Sequence, residues 1–343
     1  MRITAPSRWL ASLLPVLVAC SNTGTRPAPQ GPENLDCSAV LPSTPTDLVW
    51  PKGQDKARIA YVGTLRGNVG CPNGGGLTAD TQRLEMYYPR VAIPDDNGEV
   101  LVAGRGGALR FDGKGGVTPY ALTDGVVNPR GMAFNDGKVL MVDSDRRAVR
   151  VYNRANEPVA TIGEGDMERP HGLAVDRNRG RIYVTDAGTG LVQVYGLDGQ
   201  RVMTLGSSDN TSDSALAMPV AVAVNSVGNV YVVHNGQKKV SVFAPDGTLV
   251  TRFGEQGIWQ GQLQRPKGIA IDSEDHVYVT DSTFDNMQIF DPAGHLLLVV
   301  GETGGLAGQF NVPSMITIDA QDRIFVTDFG FHRVQVFQYL RDQ

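Results

Sequence analysis

Arg90, Arg130, His171 and Lys267 share one address in the sequence. Each directly follows a proline of a recurrent set: Pro89, Pro129, Pro170, Pro219, Pro266 and Pro313. Val220 and Ser314 fill the other two places. Three cationic side chains and an imidazole gathered at one spot could hold a carboxylate or another anion through charge-assisted hydrogen bonds. On a chain of net charge −5, such a focus of positive charge would run against the protein's overall field.

The prolines follow one another at 40 to 49 residues, and that spacing identifies the elements that hold these side chains. A fixed period of this size marks one supersecondary unit used repeatedly. Pro266 opens the phrase Pro-Lys-Gly-Ile-Ala-Ile-Asp, which Pro170 repeats closely and the other four copy more loosely. A polar turn follows, then an alternating run such as Arg181-Ile182-Tyr183-Val184-Thr185-Asp186 or Arg323-Ile324-Phe325-Val326-Thr327-Asp328. A third run (Val192-Gln193-Val194-Tyr195), a tight turn (Leu197-Asp198-Gly199) and a fourth run complete the unit. Short β-branched and aromatic runs bounded by Gly, Pro, Asp and Asn are strands joined by hairpins. Six units of four strands predict an all-β, six-bladed β-propeller of antiparallel blades.

The sixth unit supplies only three strands before the sequence stops at Gln343. Residues 58–63 carry the pattern of a fourth strand with no first strand before them, so they are expected to pair with 334–337 and close the ring. Closure removes two exposed sheet edges.

The pattern Pro-x-Gly-[Ile/Leu]-Ala-[Ile/Val]-Asp, then [Val/Ile]-[Tyr/Phe]-Val-Thr-Asp, then [Val/Met]-Gln-[Val/Ile]-[Tyr/Phe], resembles the NHL repeat. The resemblance runs through residues 58–340 and is closest in the units opening at Pro170, Pro266 and Pro313. At Pro219 it weakens, with Ala221 for the Gly and His234 for the Asp; at Pro89 it is weakest. It implies a scaffold and no single activity, because function resides in loops grafted onto such folds.

The N-terminus carries a different signal. Arg2 and Arg8 precede an apolar run from Trp9 to Val18, which ends in Leu17-Val18-Ala19-Cys20. This reads as a secretory signal over 1–19, too short to span a bilayer. Its end resembles the bacterial lipobox, which implies lipidation of Cys20. Ser21 resembles outer-membrane rather than inner-membrane sorting. Residues 20–46 are proline-rich and suit an extended tether, with the propeller over 47–343. The expected location is therefore the cell envelope, with membrane attachment through lipid alone. Cys37 and Cys71 remain; they form either a disulfide, the preferred reading in an oxidising compartment, or two free thiols. Losing Arg2 and Arg8 with the signal leaves 29 basic against 36 acidic residues, which opposes nucleic acid as a partner.

Propeller geometry puts the residue after each repeat proline at one mouth of the central channel. Two arrangements fit the sequence there: a site for an anion, or pairing of each cation with a strand-end Asp (Asp143, Asp186, Asp281, Asp328) on the same face. Turn capping explains those aspartates better than chemistry does. Phe329, Phe331 and His332 bring aromatic side chains to this face, either as interface anchors or packed over the blade tops.

His171, His234 and His332 also share it. Zinc-bearing lyases of similar repeat hold their ion with three axial histidines about 2.0–2.1 Å away. Here one histidine begins an inner strand, one ends a second strand and one lies in a loop, so no metal is expected. The sequence also lacks a Gly-x-Ser-x-Gly elbow, a phosphate-binding Gly-x-x-x-x-Gly-Lys-[Ser/Thr] loop and a Cys-x-x-Cys-His haem motif, and no cofactor is expected. The leading expectation is a non-enzymatic scaffold for an envelope protein or a small anionic or glycan ligand. The alternative is a channel-mouth lyase or hydrolase using His171, Arg130 and Lys267.

Overall fold

The computed structural model describes residues 47–341 except 54–55, 67–85, 106, 114–115 and 121–128. Strands from these residues make six antiparallel sheets, and no helix occurs among them. The innermost strands are Pro89–Pro94, Pro129–Asn135, Pro170–Asp176, Pro219–Val224, Pro266–Ile271 and Pro313–Ile318. Each touches the next and the last touches the first, so the blades form a closed six-membered ring. Cys20, Cys37 and Cys71, the signal segment and the tether lie outside the described residues.

The repeated phrase reads as a set of ring-closing devices. Proline has no N–H to give a ladder, and in every blade the register shifts immediately after it. Such a bulge re-aims the side chain that follows, which is the residue at the channel mouth. The glycine next in line marks where inner strands approach most closely. A Cβ on Gly131 would lie 2.7 Å from the His171 carbonyl oxygen, on Gly172 2.7 Å from that of Val220, and on Gly268 2.8 Å from that of Ser314. The second-strand threonine ties the same seam. Thr185 Oγ1 accepts from Gly172 N at 2.7 Å and Thr280 Oγ1 from Gly268 N at 2.9 Å. The Thr280 hydroxyl donates in turn to the Ser314 carbonyl of the next blade.

The core lies between blades. Tyr183, Tyr231, Tyr278 and Phe325 on second strands, and Tyr152, Tyr195, Phe243, Phe290 and Phe337 on third strands, are fully buried. Each aromatic side chain removes about 150–250 Å² from water, so the blade interfaces carry the main hydrophobic term.

Closure follows the expected pairing and extends it. Ile59–Leu65 runs antiparallel to Arg333–Tyr339, with Ile59 opposite Tyr339 and Leu65 opposite Val334. A two-residue strand, Val49–Trp50, then pairs outside Ile59–Leu65, making this blade five-stranded. The short outer strand had no counterpart in the repeat and left no periodic signal.

Candidate functional site

The bulges bring Arg90, Arg130, His171 and Lys267 into one another's fields. Burial is the main influence on His171, whose imidazole is pushed down to about 4, followed by the charges of Arg130, Lys267 and Arg90. Lys267 is pushed down to about 8 by burial and then by Arg265, Arg130 and Lys238, with Asp281 opposing weakly. Arg90 is also lowered, by burial and by Arg130 and Arg105. The Nε atoms of Arg90 and Arg130 are buried without a hydrogen-bond partner among the described residues. His171 is held in place by its Nδ1, 2.8 Å from the Val220 carbonyl oxygen.

The strand-end aspartates do not neutralise this cluster. Asp186 accepts from the amides of Glu168, Arg169 and Gly188, and Asp281 from those of Gln264, Arg265 and Thr283. Asp143 caps Asp145 and Arg146, and Asp328 takes the Asn311 amide and the buried Arg333 guanidinium at 2.8 Å. They are turn caps, and Arg90, Arg130 and Lys267 have no carboxylate partner among the described residues. The pairing of each cation with a strand-end aspartate, one of the two arrangements open in the sequence, does not occur among the described residues.

The same face carries apolar side chains. Phe329 and His332 pack on Tyr88, with ring centroids 4.9 and 4.4 Å away, and Phe331 lies against Arg333 and Gly305. These three are partly covered. Among the large apolar side chains on this face, Ile258 and Trp259 are each 73 % exposed, Leu306 57 % and Tyr87 50 %. Trp259 and Leu306 occupy equivalent places in two loops of the same construction. Trp259 N donates to Gln262 Oε1 at 3.0 Å, and Leu306 N to Gln309 Oε1 at 3.2 Å. The repeat glutamines clamp the loops from beneath: Gln288 bonds Gly261 N and Gln262 O, and Gln335 bonds Gly308 N and Gln309 O. Sequence reasoning missed these tips. The signal was there in the matching Gly-Gln pairs, Gly261-Gln262 and Gly308-Gln309, before each inner strand.

The other histidines take separate partners. His234 is buried with Nε2 2.9 Å from Ser241 Oγ, and His332 is in the tyrosine stack, so the three do not share a site. The opposite mouth holds a cavity of about 490 Å³ lined by Asp95, Asp96, Asp176, Asp272, Asp275 and Asp319 among others. Most of those carboxylates cap turns, as Asp272 does for Glu274 and His276. Arg177 lines the cavity as well, and Asp96, Asp176, Asp272 and Asp319 are paired with Arg177, Arg179, His276 and Arg323.

Comparison with known proteins adds to this geometry. Residues 167–195, 263–290 and 310–337 match the NHL repeat. Three of the six blades are NHL repeats. They are the blades whose inner strands open at Pro170, Pro266 and Pro313, where the phrase is most regular. No curated protein matches the chain. Among solved structures, an auxiliary nutrient binding protein from Bacteroides thetaiotaomicron aligns with TM-score 0.59 at 16 % identity, over 75 % of this chain and 71 % of its own. Virginiamycin B lyase from Staphylococcus aureus aligns with TM-score 0.54 at 13 % identity, over 75 % and 96 %. A gluconolactonase from Xanthomonas campestris aligns with TM-score 0.57 at 17 % identity, over 84 % and 99 %. A binding protein, a lyase and a lactonase thus share the scaffold of the NHL blades, and at these identities the likeness concerns the fold alone.

Proposed function

We propose that the protein is a binding propeller that presents its cationic channel mouth, flanked by apolar loop tips, to an anionic group on a partner or small ligand. The observation that carries this reading is the set of Arg90, Arg130 and Lys267 with no ion pair to a carboxylate among the described residues. Like charges held together cost stability, and a bound anion relieves that cost. Trp259, Leu306 and Tyr87 add what an interface needs around such a centre, since aromatic and apolar anchors beside Arg are typical of binding hot spots.

Thermal melts with citrate test the reading. Citrate is expected to raise the Tm of the wild type, with the shift lost in Arg130→Ala and Lys267→Ala. An unchanged Tm at millimolar citrate, or an equal shift in both variants, overturns it.

The setting we propose is the cell envelope, with Cys20 as the lipid attachment site. The run from Arg2 through Cys20 supports it. Metabolic labelling with a radioactive fatty acid should mark the wild type and not Cys20→Ala; equal labelling or none refutes the anchor.

A further inference from the structure

The cavity at the far end of the channel has a wall that repeats with the blades. Counted from its proline, the sixth residue of each inner strand is Pro94, Phe134, Val175, Val224, Ile271 or Ile318. All six line the cavity and are only half-buried, so an apolar ring faces the lumen. The residue after each is Asp or Asn and belongs to the rim, where Asp95 caps Asn97 and Glu99, and Asn225 caps Asn229. An apolar wall below a few polar groups is the usual build of a small-molecule site, and about 490 Å³ lies in the range of about 300–1,000 Å³ that such sites occupy.

The rim selects by charge. Arg177 is the one cation among the described lining residues. It reaches over the second blade, donating to the Phe134 carbonyl at 3.1 Å and standing 3.5 Å from Asp96 of the first. Asp176, Asp272 and Asp319 have cations of their own, whereas Asp95 and Asp275 have no ion pair among the described residues. Asp275 is fixed instead by the amide and hydroxyl of Ser226 in the preceding blade, at 2.9 and 2.6 Å. No three acidic, histidine or cysteine side chains among the described residues converge closely enough to hold a metal ion. An organic cation suits such spread carboxylates better. We propose that this end of the channel binds a small amphipathic ammonium compound, with its compact hydrocarbon body inside the ring and its charged nitrogen at the rim that Asp95, Asp96 and Asp275 supply.

Calorimetric titration of the full chain with 1-adamantanamine tests the inference. One amine is expected to bind per chain. Methylammonium, which lacks the body, should bind at least roughly tenfold more weakly, because no apolar surface is buried. 1-Adamantanecarboxylate keeps the body and reverses the charge, and should lose at least as much to the rim carboxylates. Asp96→Asn is expected to weaken the amine about two- to fivefold, as for an exposed ion pair, and Arg177→Ala to strengthen it. Val224→Arg should abolish binding by placing a cation in the ring, with an unchanged Tm showing that the fold persists. Asp96 is largely exposed, so Asp96→Asn carries the test even if Val224→Arg fails to fold. No heat at millimolar amine, equal affinity for amine and carboxylate, or full binding by a folded Val224→Arg overturns the inference.

Discussion

His171 Nδ1 lies 2.8 Å from the carbonyl oxygen of Val220, one blade further round the ring. The contact fixes the tautomer: Nδ1 carries the proton and donates it, and Nε2 keeps its lone pair. Burial and the charges of Arg130, Lys267 and Arg90 hold the ring neutral, with its pKa down to about 4. His234, fully buried against Ser241, is likewise pushed down to about 4 by burial.

A pH dependence follows from the sign of these shifts. The unfolded chain binds a proton at each histidine below about 6.5, whereas the folded chain refuses it until about 4. Stability from both groups is therefore complete above pH 6.5 and is lost as the pH falls towards 4. His276, raised by its hydrogen bond to Asp272, acts in the opposite sense: its contribution is full below pH 6.5 and fades above it. Urea midpoints from pH 7 to 4 should fall more steeply for the wild type than for His171→Asn. Parallel curves would show that His171 is protonated in the fold.

Arg130 should trade stability against binding. Removing one of several uncompensated cations relieves repulsion, so Arg130→Ala is expected to gain about 0.2–1 kcal/mol at low salt. The gain should shrink at 0.15 M salt, where screening extends over about 8 Å. The same variant loses the citrate shift. Melts at two ionic strengths measure both effects, and a destabilised Arg130→Ala would mean that the guanidinium supports the fold.

How far the sequence speaks depends on whether a feature repeats. The proline period gives the blade count, the ring and the positions of Arg90, Arg130, His171 and Lys267, because each blade restates the same bulge. It also yields the closure by residues 58–63, since a missing fourth strand is itself a departure from the period. Features that occur once are invisible to that reasoning. The outer strand Val49–Trp50 belongs to no repeat. The fate of Asp186 and Asp281 depends on loop backbones that turn back over them, and sequence alone allowed an ion pair instead. Trp259 and Leu306 stay open to solvent because their loops stand clear of the blade, which apolarity would not suggest.

Gly172 has a backbone reason to be glycine. A Cβ there would meet the Val220 carbonyl at 2.7 Å and the Ala221 Cα at 2.8 Å, and neither is a flexible side-chain end. Gly172→Ala must spread two inner strands, costing about 1–3 kcal/mol by analogy with overpacked cores. Because the spread lies next to His171, citrate binding should weaken too. Urea denaturation checks the first effect and the citrate melt the second; a neutral variant would mean that the ring tolerates local expansion.

Gln335 holds a loop from below. Its Oε1 accepts from Gly308 N at 2.9 Å in a fully buried setting, so Gln335→Ala leaves that amide unsatisfied and should cost about 1–3 kcal/mol. Hydrogen exchange at Gly308 should quicken, and Leu306 should lose its fixed presentation. Gln193 supplies the control. It occupies the same repeat position, but its Oε1 has no partner among the described residues, so Gln193→Leu should be nearly neutral. Equal losses in the two variants would contradict the clamp.

Phe337 should decide how firmly the ring is closed. Its fully buried ring meets Trp50 at 5.7 Å, Tyr61 at 5.6 Å and Phe310 at 5.9 Å, joining both N-terminal strands to the last blade. Phe337→Ala removes the shared surface and is expected to cost about 3–5 kcal/mol. The loss should be felt first where the chain is added from outside, because Ile59–Leu65 is joined to the blade by only one partner strand besides the short Val49–Trp50. Amides of Ile59–Leu65 should therefore exchange faster than those of Pro170–Asp176 in the variant, and exposure of the Arg333–Tyr339 edge should promote self-association. Uniform acceleration across all six blades would instead mean that the ring opens as one cooperative unit.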